Sequence, residues 1–244
     1  MSSLTPFDLL RVWETGYARP PRRRALLLLE AAHPEEPPEE LAALPIGRRD
    51  GRLLKLRERL FGRELVALTD CPECGQRLES AFSVDSVRFG GQGPPEEEHA
   101  MKAGGYSLRF RLPNSLDLAA LEGEAEEALL PKRLLERCLL SVRRRGREEK
   151  LEDLPSKVVE ALVRRMGEAD PQADVRTRLD CPSCSHQWEA VFDIVSFIWK
   201  ELDAWAWRTL REVHLLASAY GWSESQVLSL SPWRRQFYLK CIGA

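Results

Sequence analysis

Two short cysteine-containing segments of this chain have nearly the same sequence. Asp70–Cys74 reads DCPEC and Asp180–Cys184 reads DCPSC, and each is followed by a small turn residue and an alternating apolar pattern. Two Cys-x-x-Cys pairs supply the four thiolates of a closed tetrahedral zinc site, which stabilises a fold and leaves no ligand position open for catalysis. The sequence therefore predicts one structural Zn²⁺ ion with four ligands: Cys71, Cys74, Cys181 and Cys184.

The same two motifs admit other interpretations. His186 follows Cys184 by two residues, so it is an alternative ligand, a hydrogen-bond partner of sulfur or a simple turn residue, and the sequence leaves these open. A redox role would use a lowered thiol pKa, but thioredoxin-like motifs begin a helix, whereas both motifs here lie between strand patterns. Unligated reduced thiols are the remaining alternative.

Composition describes an ordinary globular protein of 244 residues, with 43% hydrophobic and 30% charged residues and a net charge of −2. This balance does not favour a general polyanion binder. The most apolar run, Ala25–Leu29, is far shorter than the ~20 residues that span a bilayer. No signal-peptide pattern is visible at the start of the sequence, so we expect a cytoplasmic protein without a membrane segment.

Local patterns predict an α+β fold, in which helices surround a small antiparallel zinc-ribbon sheet built from the two knuckles, followed by a C-terminal helical hairpin. Strands are expected at 64–69, 78–89, 106–112 and 175–179. Helices are expected from residue 5 to the Arg19-Pro20 break and over 22–32, 50–61, 116–121, 124–143, 155–166 and much of 192–244. Residues 34–40 are expected as a solvated linker or the entry to a helix.

These patterns also predict three regions. Residues 1–43 form an N-terminal helical segment, 44–194 form the zinc-ribbon core, and 195–244 form a C-terminal helical region. A mostly helical insertion, about 113–170, separates the two knuckles, and the metal would join its ends.

No catalytic motif accompanies the cysteines. The chain lacks a phosphate-binding glycine loop with lysine, a Gly-x-Ser-x-Gly elbow and a His-Glu-x-x-His helix, so we expect no enzyme and no small-molecule substrate. Arginine clusters at 22–24, 48–49 and 143–145 keep a nucleic-acid-binding or regulatory zinc-ribbon adaptor as the alternative function. Acidic residues outnumber basic ones, 38 to 36, which weighs against that alternative.

Five passages of the chain resemble the T-even-type phage baseplate hub assembly chaperone family, in the form encoded beside phage-tail-like contractile injection systems. The C-terminal passage is the most specific, because a Gly-Trp-Ser-Glu turn between aromatic-rich helices is uncommon. The passages are Leu44–Leu54 (LPIGRRDGRLL), Phe61–Cys74, Phe110–Leu118 (FRLPNSLDL), Cys181–Trp188 (CPSCSHQW) and Glu212–Glu224 (EVHLLASAYGWSE).

The resemblance implies a non-enzymatic role in assembling a baseplate or its central hub. A transient chaperone and a permanent minor component of a contractile tail both fit, with baseplate or hub proteins as partners. Five of the seven tryptophans follow residue 198, a surplus of amphipathic aromatics that suggests a protein-binding surface. We predict that the metal-fixed core presents the C-terminal helices to a partner through these residues: Trp222, Trp233, Arg234, Arg235 and Tyr238.

Overall fold

The computed structural model describes residues 4–89, 97–123 and 126–243. The chain divides into two compact units, one formed by Met1–Pro37 together with Val195–Ala244 and the other by Pro38–Ile194. The N-terminal and C-terminal helical segments, which the sequence suggested as separate regions, thus belong to one unit.

The described residues form α-helices and antiparallel strands, so the α+β class is confirmed. The helices are α1 (Pro6–Gly16), α2 (Pro21–Ala32), α3 (Pro38–Ala43), α4 (Ile46–Phe61), α5 (Ser115–Ala120), α6 (Leu130–Cys138), α7 (Ser156–Ala169), α8 (Ile194–Tyr220), α9 (Glu224–Ser229) and α10 (Pro232–Cys241). The strands are β1 (Glu64–Asp70), β2 (Arg77–Ser83), β3 (His99–Ala103), β4 (Tyr106–Phe110), β5 (Leu139–Arg144), β6 (Arg147–Glu148), β7 (Arg176–Asp180) and β8 (Gln187–Val191).

The α-helices of the first unit, within the part of the chain that the structure describes, are α1, α2, most of α8, α9 and α10. Thr5 caps α1 as its pattern predicts, because its hydroxyl accepts a hydrogen bond from the Asp8 backbone N–H at 3.2 Å. Trp13 of α1 donates from Nε1 to the Asp203 carboxylate of α8 at 2.8 Å. The buried ring of Trp199 carries the Arg24 guanidinium above it at 4.6 Å from the ring centroid.

The second unit holds two β-hairpins and a four-stranded sheet. In the sheet, β3, β4, β5 and β6 pair in that order, and α7 covers one face. The buried side chains between them are aliphatic and aromatic: Tyr106, Leu108, Val142, Leu154 and Val158.

The predicted single ribbon sheet is wrong. The strands beside the two knuckles form separate two-stranded sheets, β1–β2 and β7–β8, each paired only within itself among the described residues. The insertion is also less helical than expected, because it contains β5 and β6.

Helix prediction fails where tertiary pairing outweighs local propensity. The expected helix over 124–143 is α6, which ends at Cys138, and the chain continues directly into β5. Residues 139–144 pair with β4, which places Val142 opposite Leu108 in the buried layer. The predicted strand over 78–89 ends at Ser83 in a 3₁₀ turn. The segment 34–40, expected as a linker or a helix entry, leads into α3 at Pro38. No helix among the described residues is long and apolar enough to cross a membrane.

Candidate metal centre

The two knuckles have the same local geometry. In the first, the Cys71 backbone N–H donates to the Gln76 carbonyl at 2.9 Å, and the Gly75 N–H donates to the Cys71 carbonyl at 2.9 Å. In the second, Cys181 N–H donates to the His186 carbonyl at 2.9 Å, and Ser185 N–H donates to the Cys181 carbonyl at 2.8 Å. The duplicated sequence is therefore a duplicated turn, which aims both thiols of each pair in one direction.

The structure brings the four predicted cysteines together from two distant parts of the chain. Sγ of Cys71 lies 3.7 Å from Sγ of Cys184, and Sγ of Cys74 lies 3.6 Å from Sγ of Cys181. All four sulfur atoms lie within 4.8 Å of one another. They are too far apart for disulfides, whose sulfur atoms lie ~2.05 Å apart.

This donor set fits zinc. Four sulfur atoms, each ~2.3 Å from a tetrahedral Zn²⁺ ion, lie ~3.8 Å from one another. The distances between the two hairpins are close to that value, and the four ligands match a closed structural site. Zinc held by these cysteines would tie β1–β2 to β7–β8 and would supply folding free energy.

Without a bound cation, the Cys181 and Cys184 thiols of the cluster have different pKa values. Desolvation acts to raise the pKa of Cys181, but the backbone N–H groups of Cys184 and Ser183 outweigh it and lower that pKa to about 7. For Cys184, a backbone hydrogen bond from His186 favours the thiolate, but desolvation and the neighbouring thiols raise the pKa to about 12. Four thiolates at this spacing repel one another, and a divalent cation removes that penalty.

Apolar contacts join the hairpins behind the cysteines. Cys71 and Cys181 are buried with Leu78, and Trp188 packs against this cluster. Phe82 and Phe192, which occupy equivalent places in the two repeats, meet edge to face with their ring centroids 5.7 Å apart. The hairpins thus contact each other through matching positions of the duplicated sequence.

The position of His186 bears on the alternatives left open by the sequence. Its ring stacks on Trp188 with the centroids 5.8 Å apart, and its backbone carbonyl accepts the Cys181 N–H in the turn of the knuckle. The cluster of four metal-ligating side chains consists of cysteines alone. The other two cysteines lie elsewhere: Cys138 is buried in an apolar core, and Cys241 is exposed.

A buried polar network lies outside the cysteine cluster, at residues whose pairing the sequence did not predict. Asp117 is 1% exposed, and its carboxylate accepts hydrogen bonds from Arg111 at 2.5 and 2.7 Å and from Arg137 at 3.0 Å. It also accepts the Asn114 backbone N–H at 3.1 Å, while Asn114 caps α5 in return. Burial acts to raise the pKa of Asp117, but the hydrogen bonds from Arg111 and Asn114 hold it below its usual value.

Two of the five family-like passages meet at this network. The Ile46 N–H donates to the Pro113 carbonyl at 3.0 Å, and the buried Arg49 donates to Ser115 at 3.3 Å. Asp170, far along the chain, accepts the Gly47 N–H at 2.8 Å at the start of α4. The passages Leu44–Leu54 and Phe110–Leu118 therefore have a structural role, because hydrogen bonds connect one with the other.

The structure separates the five predicted partner-binding residues by exposure. Trp233 and Arg234 are exposed on α10, whereas Trp222 and Tyr238 are half-buried and pack edge to face with centroids 5.0 Å apart. Arg235 is buried and donates to the Glu212 carboxylate and to the Leu230 carbonyl, both at 2.9 Å. Arg235 thus holds α10 against α8 within its own unit.

The basic clusters that suggested nucleic-acid binding are largely engaged inside the chain. Several of their guanidinium groups bind carboxylates or aromatic rings rather than standing free. The pairs are Arg23 with Glu30, Arg24 with Trp199, Arg49 with Asp50, Arg143 with Glu148 and Arg144 with Tyr106.

Fold and site together define an α+β protein whose two cysteine hairpins form a cluster suited to a structural metal ion. A family model described as T4 bacteriophage base plate protein matches residues 28–199, which include both knuckles and the buried network. The match covers more than half of the chain, and the chain belongs to this family. Comparison with curated proteins gives no match, and comparison with solved structures gives none.

Proposed function

We propose that this protein is a non-enzymatic, zinc-stabilised assembly factor or minor structural component of the baseplate or hub of a phage-like contractile tail. The observation that carries the proposal is the baseplate family match over residues 28–199. Membership in the family makes other baseplate proteins the expected partners, and among these we propose the proteins of the central hub.

Zinc has a structural role in this proposal. Cys71, Cys74, Cys181 and Cys184 would fill all four positions of a tetrahedral ion and leave none for a substrate. The ion would hold two hairpins from distant parts of the chain in one arrangement. The four-cysteine cluster thus supports a scaffold rather than a catalyst.

A helical surface would make the partner contacts. Trp233 and Arg234 project from α10 into solvent, with Trp222 and Tyr238 partly exposed beside them. Aromatic and arginine side chains supply much of the binding energy at protein interfaces. We assign partner contact to these four residues and a supporting role to Arg235.

Genetic deletion with complementation tests this function. Deleting the gene should leave contractile tails incomplete in electron micrographs, and co-expression with neighbouring baseplate proteins should yield a stable complex. A chain with Cys71→Ser and Cys181→Ser should fail to complement, whereas Cys241→Ser, an exposed cysteine outside the cluster, should complement. Complete tails in the deletion strain would refute the proposal, and a DNA or RNA mobility shift with steep salt dependence would favour a nucleic-acid ribbon.

A further inference from the structure

The first hairpin carries exposed aliphatic side chains on the surface that faces away from the metal cluster. Val66 is 49% exposed and Leu68 is 63% exposed, and both lie on β1. Across the strand pair, Ala81 stands opposite Val66 and Glu79 stands opposite Leu68. With Glu64 at the end of β1, these five residues define the outer face of the first hairpin.

The second hairpin shows that this apolar character is not needed for folding. With Cys71 aligned on Cys181, Val66 is equivalent to Arg176 and Leu68 to Arg178, and both arginines are exposed in the same strand positions. The two hairpins have the same turn geometry and the same pairing of these positions. The second hairpin folds in the same way with arginine at both positions. The exposed Val66 and Leu68 are therefore better explained by binding to a partner than by a contribution to the stability of the hairpin.

The charges around the outer face select the kind of partner. Asp70 pairs with Arg77 at 3.0 Å, which leaves Glu64 and Glu79 without an ion pair among the described residues. Two such faces meeting each other would bring like charges together, which disfavours a symmetric contact. The face therefore suits an apolar partner surface that carries two cations.

The exposed face of α10 has these properties. Trp233 is 77% exposed and stacks on Phe237, which is 53% exposed, with the ring centroids 6.3 Å apart. Arg234 precedes Phe237 by three residues and Lys240 follows it by three, so both cations are neighbours of Phe237 on the helix surface. The side chains of Arg234 and Lys240 are exposed and form no ion pair within the described part of the chain.

We propose that copies of this protein associate head to tail, with α10 of one copy docked on the outer face of the first hairpin of the next. Trp233 and Phe237 meet Val66 and Leu68, while the two cations meet Glu64 and Glu79. Such a heterologous contact closes into a ring of copies or continues as a filament. The inference rests on the proposed function, because it uses α10 residues that the proposed function assigns to partner contact and names a second copy of this chain as one such partner.

Complementary variants test the contact. The molar mass of the purified, zinc-loaded chain should rise with concentration in light scattering. The variant Val66→Arg with Leu68→Arg copies the side chains of the second hairpin and should stay monomeric, as should Trp233→Ala with Phe237→Ala. In an equimolar mixture, α10 is intact in the arginine variant and the first hairpin is intact in the alanine variant. The mixture should therefore form a dimer of one copy of each but nothing larger. As a matched control, Val191→Arg changes an exposed valine on the second hairpin and should associate like the wild type.

Several outcomes would overturn the inference: a monomeric wild type at every concentration, either double variant associating like the wild type, or a mixture that stays monomeric. Circular dichroism and bound zinc show whether each variant is folded, and the α10 variant leaves the hairpins untouched. A monomeric chain that still co-purifies with baseplate proteins would refute self-association alone. Association together with complete tails in the deletion strain would refute the proposed function alone.

Discussion

Ser185 occupies the turn position at which the first knuckle has Gly75, and both backbones are left-handed, with φ of 60° and 71°. A residue with a Cβ atom is strained there, whereas glycine is not. We expect Ser185→Gly to raise the free energy of unfolding by about 1 kcal/mol and Gly75→Ser to lower it by a similar amount. Chemical denaturation of the zinc-loaded chain measures both, and equal signs for the two changes would contradict the argument.

The carboxylate of Asp117 is a second single-residue test. Asp117→Asn leaves Arg111 and Arg137 without their shared anion, so we expect a loss of about 3 kcal/mol of stability at neutral pH. Asp174→Asn, which removes an exposed carboxylate paired with Arg176, should change the stability by less than about 1 kcal/mol.

The lowered pKa of Asp117 also sets the sign of a pH effect. The unfolded chain binds this proton more readily than the folded one, so the contribution is fully present above the ordinary pKa of 3.8 and is lost as the pH falls through the lower folded value. Unfolding followed over acidic pH should show a shallower decline in Asp117→Asn. If the free energy of unfolding fell equally steeply with decreasing pH in both proteins, Asp117 would not contribute to the acid sensitivity of the fold.

Residue types and spacing were enough to predict the cysteine cluster, because all four ligands belong to two short, matching motifs. The same approach missed the buried acids. Asp117 accepts a hydrogen bond from Arg137, and Asp170 accepts one from the Gly47 N–H. The residues next to each acid in the sequence do not indicate these distant partners. The only local signal was the Asn114-x-x-Asp117 spacing, which is that of a helix cap.

At the level of elements, α4 begins against a distant carboxylate. A Cβ atom at Gly47 would lie 1.9 Å from Oδ1 of Asp170, whereas one at Gly51 in the same helix meets nothing closer than 3.9 Å. We expect Gly47→Ala to destabilise the protein by about 3 kcal/mol through overpacking and Gly51→Ala to stabilise it by about 1 kcal/mol. Thermal unfolding of the two variants provides the comparison, and a neutral Gly47→Ala would show that Asp170 moves freely.

Elements with strong local signals followed the sequence, and elements made by pairing did not. The capped helix α1 and the alternating strand β4 lie where their patterns placed them. The sequence predicts a helix where β5 lies, because the partner that makes β5 a strand is β4, about thirty residues earlier. The two hairpins were expected to share one sheet, and their side chains, rather than their backbones, join them.

For the whole molecule, the division into two compact units predicts separable effects on unfolding. Removing the proposed zinc ion with a chelator should lower the melting transition of Pro38–Ile194, because structural zinc contributes about 10–16 kcal/mol in small domains. Trp13→Phe removes the hydrogen bond to Asp203 and should lower the other transition, by about 1 kcal/mol of stability. Calorimetry on both samples checks this, with the exposed Cys241→Ser as a control that leaves both transitions in place. A chelator effect on both transitions alike would contradict this division.

The helical unit is discontinuous: its first helices precede Pro38–Ile194, and its remaining helices follow that unit. During synthesis, α1 and α2 leave the ribosome long before the remaining helices of their unit exist, whereas Leu28 and Leu29 of α2 are fully buried in the folded protein. The central unit, in contrast, has all its strands once β8 has emerged. A nascent chain therefore exposes apolar side chains of α1 and α2 until α8, α9 and α10 have been synthesised, and exposed apolar surface of this kind favours aggregation during folding.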